Sequence, residues 1–281
     1  MSYVNYEKNQ KDNYALFTLN RPNRLNALGA DLLEELNDHL LDFNNDPEMR
    51  VGIVTGAGRA FSAGADLKES ADRNAKTLEI ENQYSSGKIT SEERLRQLES
   101  LGVSSNSRSR NMFPYSSSPK PFIAAVNGLA IGGGCEQAMD CDIRIASTEA
   151  YFGLFEVKRG ILAAYGIHHA GRVLPPGEAM YLLLCGDKLT AERAHQVGFV
   201  QEIVQPDKLL ERSIEVAKMI TENAPLAIQS TKAMTQFWKN NSMEESRRIG
   251  SWVSKFNSSS EDSKEGVRAF VEKRAPEWKG R

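Results

Sequence analysis

Cysteine and histidine are both scarce, at three and four residues in 281. Cys135, Cys141 and Cys185 form no Cys-x-x-Cys pair and their number is odd, which argues against a disulfide framework and for reduced thiols. His39, His168, His169 and His195 show none of the spacings that bind zinc, so no structural or catalytic metal is expected. No apolar run approaches the roughly 20 residues that span a bilayer. Met1–Asn13 carries neither an apolar leader nor an Arg-rich amphipathic pattern. The expectation is a cytoplasmic protein with no membrane partner. Excess charge is lacking too: 35 basic against 37 acidic residues leave a formal net charge of −2, and nothing calls for nucleic acid as a partner. Low-complexity sequence is confined to Asn257-Ser258-Ser259-Ser260, and no internal repeat stands out.

What is present is the composition of a globular protein, 40% apolar and 26% charged, long enough for one large domain with an appendage. Tyr14–Asn20, Val51–Thr55, Pro121–Val126 and Asp142–Ala146 read as strands. Leu32, Leu33, Leu36, Leu40 and Phe43 fall at helical spacing and predict a helix over Gly29–Asn44, stopped by Asn45-Asp46-Pro47. Strands and helices alternate, which predicts an α/β fold. Residues 1–205 are expected to form the core and 206–281 a helical region, with Trp252, Phe256, Val267 and Phe270 among charges near its end. Residues 70–118 form a polar insertion, helical over 75–101. It is either a surface elaboration or a cover for a site, since it starts beside Ala65-Asp66-Leu67. Its basic residues Lys88, Arg94, Arg96, Arg108 and Arg110 alternate with Glu81, Glu92, Glu93 and Glu99, the pattern of a solvated face rather than an RNA surface.

Two segments carry chemistry. Asn127–Glu136 places Gly132, Gly133 and Gly134 at a helix start with Glu136 in its first turn, and Glu156 follows twenty residues after Glu136. Glycines let backbone N–H groups approach a ligand, and a helix N-terminus favours developing negative charge. The Ser62–Asp66 turn supplies a second set of N–H groups able to converge on the same carbonyl oxygen. Two rival readings of Val51–Asp66 fail on residues: Phe61 replaces the third glycine of a dinucleotide fingerprint, and Ala60 the first glycine of a serine-hydrolase elbow around Ser62.

Nearly end to end, the chain resembles the crotonase superfamily, the enoyl-CoA hydratase/isomerase family. The resemblance rests on Asn20-Arg21-Pro22, Leu25-Asn26-Ala27-Leu28, Phe61–Lys68, Lys120-Pro121, Ala124–Gly128, Gly132–Glu136, Cys141-Asp142, Phe152-Gly153 with Glu156, and Ala269–Arg274. It implies a spiral of ββα units with a helical C-terminal region that trimerises, trimers commonly pairing into hexamers. It further implies that Ala65 and Gly133 supply the oxyanion-hole amides for an acyl-CoA thioester. Arg24, Ala63, Ala65, Asp66, Leu67 and Lys68 are implied on the coenzyme A side, with Phe270 and Lys273 reaching it from a neighbouring subunit. Glu136 would activate the water and Glu156 protonate the α-carbon, with coenzyme A part of the substrate and no other cofactor. Retention of both glutamates favours a hydratase or dehydratase over the isomerases, with double-bond isomerisation, thioester hydrolysis or decarboxylation as the alternative reactions the resemblance allows. Leu154 and Phe155 stand where Gln-Pro is common, and Ala163-Ala164-Tyr165-Gly166 replaces a glycine-rich turn. An altered acyl pocket lined by Leu154, Phe155 and Tyr165 is therefore expected.

Overall fold

The computed structural model describes residues 2–101 and 111–281. Arg108 and Arg110 of the insertion thus lie outside the described residues. Two sheets run through the molecule. The larger has six strands, β1 (Val4–Asn9), β2 (Tyr14–Leu19), β3 (Val51–Gly56), β5 (Phe122–Val126), β7 (Ile143–Ser147) and β10 (Glu202–Val204), adjacent in that order. All neighbours are parallel except β1 and β2. The smaller sheet orders β4 (Ala60–Ser62), β6 (Leu129–Ile131), β8 (Tyr151–Gly153) and β9 (Leu189–Thr190). Each pair β3–β4, β5–β6 and β7–β8 therefore gives one strand to each sheet. That repetition is structural only, because backbone pairing needs no recurring residues.

Side-chain alternation explains the layers. In β3 and β5, Val51, Ile53, Ile123 and Ala125 point to one face, where helix α8 (Leu209–Thr221) covers them with Leu209 and Ala217. Val54, Phe122, Ala124 and Val126 point the other way, into the main core. Helix α1 (Ala30–Asn45) closes that core with the five predicted apolar residues, all buried. Strand β1 has no counterpart in the sequence-based expectation: only Val4 of its six residues is buried, Tyr6 is half-buried against Phe17, and Asn5, Glu7, Lys8 and Asn9 form a polar edge that discourages further pairing.

The polar insertion begins as helix α2 (Leu67–Ser85), N-capped by Asp66, and continues as α3 (Ser91–Ser100) behind a Thr90/Glu93 capping box. The helix expected over 75–101 is thus two helices, broken at Gly87 with its positive φ. Arg94 grips Glu81 across them at 2.7 and 2.9 Å, and Arg96 pairs with Glu92, so these cations serve the helices themselves. The remaining helices are α4 (Gly133–Asp140), α5 (Gly166–Val173), α6 (Pro176–Cys185), α7 (Ala191–Gln196), α9 (Pro225–Trp238), α10 (Met243–Ser259) and α11 (Glu261–Glu272). Ser260 ends α10 and caps α11, dividing what the sequence presents as one helical stretch. Among the described residues no helix is long and apolar enough to cross a membrane.

Candidate active site

Strand β4 and the start of α4 bring the two glycine-bearing turns together. Gly64 has φ of +83°, and a Cβ there would stand 2.6 Å from the Ile131 carbonyl oxygen and 2.7 Å from the Gly133 amide nitrogen. Only glycine fits. A Cβ on Gly133 would in turn lie 3.4 Å from the Ala65 amide nitrogen, so the Ala65 and Gly133 amides are neighbours. Gly133 is the first residue of α4, and its N–H has no acceptor within that helix.

The Leu25–Leu28 segment holds this turn in place. Ala63 N donates to Leu25 O and Leu28 N to Gly64 O, both at 2.8 Å. Asn26, fully buried, donates to the Ala57 and Ala60 carbonyls at 2.9 and 2.8 Å. Ser62 is also fully buried, its hydroxyl donating to Asn26 O and accepting from Gly64 N. It is a strut, which removes the serine-hydrolase reading of Ser62. The dinucleotide alternative goes as well, since Gly56 and Gly58 lead from β3 into another strand rather than into a helix.

Glu136 is buried one turn into α4. Its Oε1 accepts from Tyr165 N at 2.9 Å and Gly166 N at 2.7 Å, at the N-terminus of α5. Burial raises its pKa, and those two N–H groups offset the rise only in part. Glu156, half-buried in the 3-10 turn Glu156–Arg159, faces the same space: a Cβ on Gly132 would come within 2.9 Å of its Oε1. Its Oε2 is buried without a hydrogen-bond partner among the described residues. Burial, with the Glu136 charge adding to it, raises the Glu156 pKa against the effect of its own backbone N–H and of Arg159. Two carboxyls with elevated pKa values therefore stand beside two convergent amides.

The other expected site residues divide. Leu67 and Lys68 are exposed at the start of α2, Arg24 is exposed in the 3-10 turn Pro22–Arg24, and Ala63 is partly exposed. Asp66 is committed: it caps α2 through Glu69 N and pairs with Arg21 Nη2 at 3.2 Å. Burial opposes its ionisation, but the Glu69 N–H and the charges of Arg21 and Arg24 hold its pKa below the ordinary value. Leu154 is buried against Gly166, and Phe155 folds back over Gly153. Phe270, 84% exposed, lies on α11, and Lys273 is the C-cap of that helix.

Tyr165 does more than its position suggests. Its ring stacks between Phe113 and His169, with centroids at 4.3 and 4.0 Å, and its hydroxyl reaches Asp140 Oδ1 at 2.5 Å and His169 Nε2 at 2.9 Å. The other Asp140 oxygen accepts from Tyr115 N and Ser116 N, tying segment 111–116 to α4. Met112 of that segment places its sulfur 3.2 Å from where a Gly133 Cβ would be. Asp140, Met112 and Arg144 escaped the sequence reading. Arg144 is buried in β7 and donates to the Ala138 and Cys141 carbonyls, capping the C-terminus of α4. A charged residue inside an apolar strand was the available signal.

The profile of the enoyl-CoA hydratase/isomerase family matches residues 9–281. The chain is 37% identical to mevalonyl-coenzyme A hydratase of Aspergillus fumigatus, covering 94% of this chain and 90% of that one. It is 33% identical to crotonyl-CoA hydratase of Syntrophomonas wolfei over 98% of this chain and 97% of the relative. The crystal structure of enoyl-CoA hydratase from Mycobacterium tuberculosis superposes with a TM-score of 0.82, at 31% identity and full coverage of both chains.

Proposed function

The chain belongs to the enoyl-CoA hydratase/isomerase family of crotonase-fold carbon–oxygen lyases, and from that premise we propose that Glu136, Glu156 and the Ala65 and Gly133 amides together add water across an enoyl-CoA double bond. The thioester carbonyl oxygen is received by the two amides, with the N-terminus of α4 behind them. As charge moves onto that oxygen in the enolate-like intermediate, each donor is worth about 3 kcal/mol of barrier. Ionised Glu136, oriented by Tyr165 N and Gly166 N, takes a proton from water as its oxygen attacks the β-carbon. Protonated Glu156 delivers a proton to the α-carbon on the same face. The proton balance closes within the pair, so neither metal nor redox cofactor is called upon. The buried, unpartnered Glu156 Oε2 carries the reading: a carboxyl oxygen left without a donor inside a protein suits a proton-bearing acid or the water it shares.

Hydration of crotonyl-CoA in deuterated water tests this. The conjugated thioester absorbance is expected to fall, with deuterium at the α-carbon syn to the new hydroxyl. A shifted double bond without water uptake would place the chain among the isomerases, and free CoA among the hydrolases.

Arg24, Ala63, Leu67 and Lys68 ring the approach to Ala65 on the coenzyme A side, Asp66 contributing as the cap of α2. Leu154, Phe155 and Tyr165 bound the near part of the acyl group, around the α- and β-carbons beside Glu136. Trp252, Phe256 and Phe270 are 69%, 65% and 84% exposed on α10 and α11, large apolar side chains whose exposure supports burial in a trimer or pair of trimers in which Phe270 and Lys273 meet a neighbour's coenzyme A. Sedimentation equilibrium should give three or six times the 31.2 kDa chain mass; a monomer would remove that shared site. Three free cysteines fit a reducing cytoplasm.

A further inference from the structure

A cleft of about 430 Å³ opens from Ala65 along α2, within the usual size of small-molecule sites. Its two walls differ in chemistry. On one side stand Leu28, Ala30, Leu33 and Met112. On the other, Glu69, Ser70, Arg73, Asn74 and Thr77 repeat at helical spacing, so one whole stripe of α2 turned to the cleft is polar. The acidic members are already satisfied. Arg21 Nη2 pairs with Asp66 at 3.2 Å and with Glu69 at 3.1 Å, and Glu69 also accepts from Ala30 N at 3.0 Å. Arg73 forms no ion pair among the described residues, and the side chains of Ser70, Asn74 and Thr77 make no hydrogen bond there.

We propose that this cleft receives the far end of the acyl group, and that the preferred acyl group ends in a carboxylate held by Arg73 with Asn74, Ser70 and Thr77 beside it. The inference rests on the reading in which the Ala65 and Gly133 amides hold the thioester carbonyl, because the cleft begins at Ala65. An alkyl tail laid along this stripe would strip water from four hydrogen-bonding side chains and return nothing. A carboxylate replaces that water with guanidinium and amide donors, while Leu28, Leu33 and Met112 cover the methylenes between. A site built to hydrogen-bond a group rejects the analogue that lacks it far more strongly than an apolar pocket rejects a changed chain length.

Calorimetric binding of two unreactive saturated thioesters, glutaryl-CoA and butyryl-CoA, tests the proposal without turnover. The protein is expected to bind glutaryl-CoA about tenfold more tightly. Arg73→Gln should abolish the preference. Asn74→Asp, which sets a like charge beside the incoming carboxylate, should weaken glutaryl-CoA more than butyryl-CoA. Arg96→Gln on α3 should leave the preference intact. Equal affinities in the unaltered protein would overturn the proposal. So would an equal loss for both thioesters in Arg73→Gln, which would assign the guanidinium to coenzyme A phosphates. A glutaryl preference in a protein that hydrates neither crotonyl-CoA nor its carboxylated analogue glutaconyl-CoA would instead sink the hydratase reading and leave the subsite standing.

Discussion

Glu156→Gln is expected to lower kcat for crotonyl-CoA hydration by about a thousandfold, and Glu136→Gln by a similar factor. Glutamine keeps the shape of each side chain while removing the proton donor at one position and the base at the other. KM should change by less than about threefold in both variants, since the lost interaction belongs to the transition state rather than to substrate binding. The two roles demand opposite protonation states. Burial lifts both pKa values above the ordinary carboxylate range, and the charge on Glu136 adds to the rise at Glu156. The activity profile should therefore be a bell whose limits are properties of the pair, both higher than two free carboxylates would give. Stability should move the other way. A carboxyl whose folded pKa is raised keeps its proton longer in the folded state, so it withdraws stability as pH climbs from the ordinary carboxylate range through the raised value. Glu156→Gln should melt at a higher temperature than the unaltered protein at neutral pH, with the gap closing in acid. Full turnover in either variant would end the two-carboxylate scheme.

Lys232→Met is expected to cost about 3 kcal/mol of stability, the scale seen when one partner of a buried ion pair is removed. Lys232 on α9 is 8% exposed, and its ammonium donates to Tyr115 O, Lys120 O and Asp142 Oδ2 at 2.8, 2.9 and 2.8 Å. Asp142 also accepts from Phe122 N at 2.8 Å. One side chain thus pins the outlying helices to the edge of β5 and to the segment that presents Met112. Methionine preserves the length and apolar contacts but removes the ammonium donor from three acceptors, leaving Asp142 Oδ2 only Phe122 N and Tyr115 O only Ser118 N. The lowered stability should appear in urea unfolding, together with faster hydrogen exchange in α9–α11 than in β3 or β5. A change below about 0.5 kcal/mol, the range of ordinary surface substitutions, would show that the contact is incidental.

The sequence by itself determined the elements whose cause is local. Leu32 to Phe43 form one apolar stripe, and Val51–Thr55 and Pro121–Val126 read as buried strands, because local side-chain periodicity and apolar run length decide both; the observed strands are Val51–Gly56 and Phe122–Val126. It also marked the glycines, Glu136 and Glu156, since close backbone approach and proton transfer restrict residue type. Tertiary structure alone decided what these residues meet. Glu136 is held by the amides of Tyr165 and Gly166, Asp66 is taken by Arg21, and Ser62 is buried as a strut. Strand β1 exists because β2 offers it an edge, not because its own residues demand it. The polar stripe of α2 reads as an ordinary solvated face until the fold lays it against Ala65 and Met112. Periodicity shows that a helix has a polar side. Which surface that side faces depends on contacts between residues far apart in the chain, and those arise only when the two sheets and their helices close around one another.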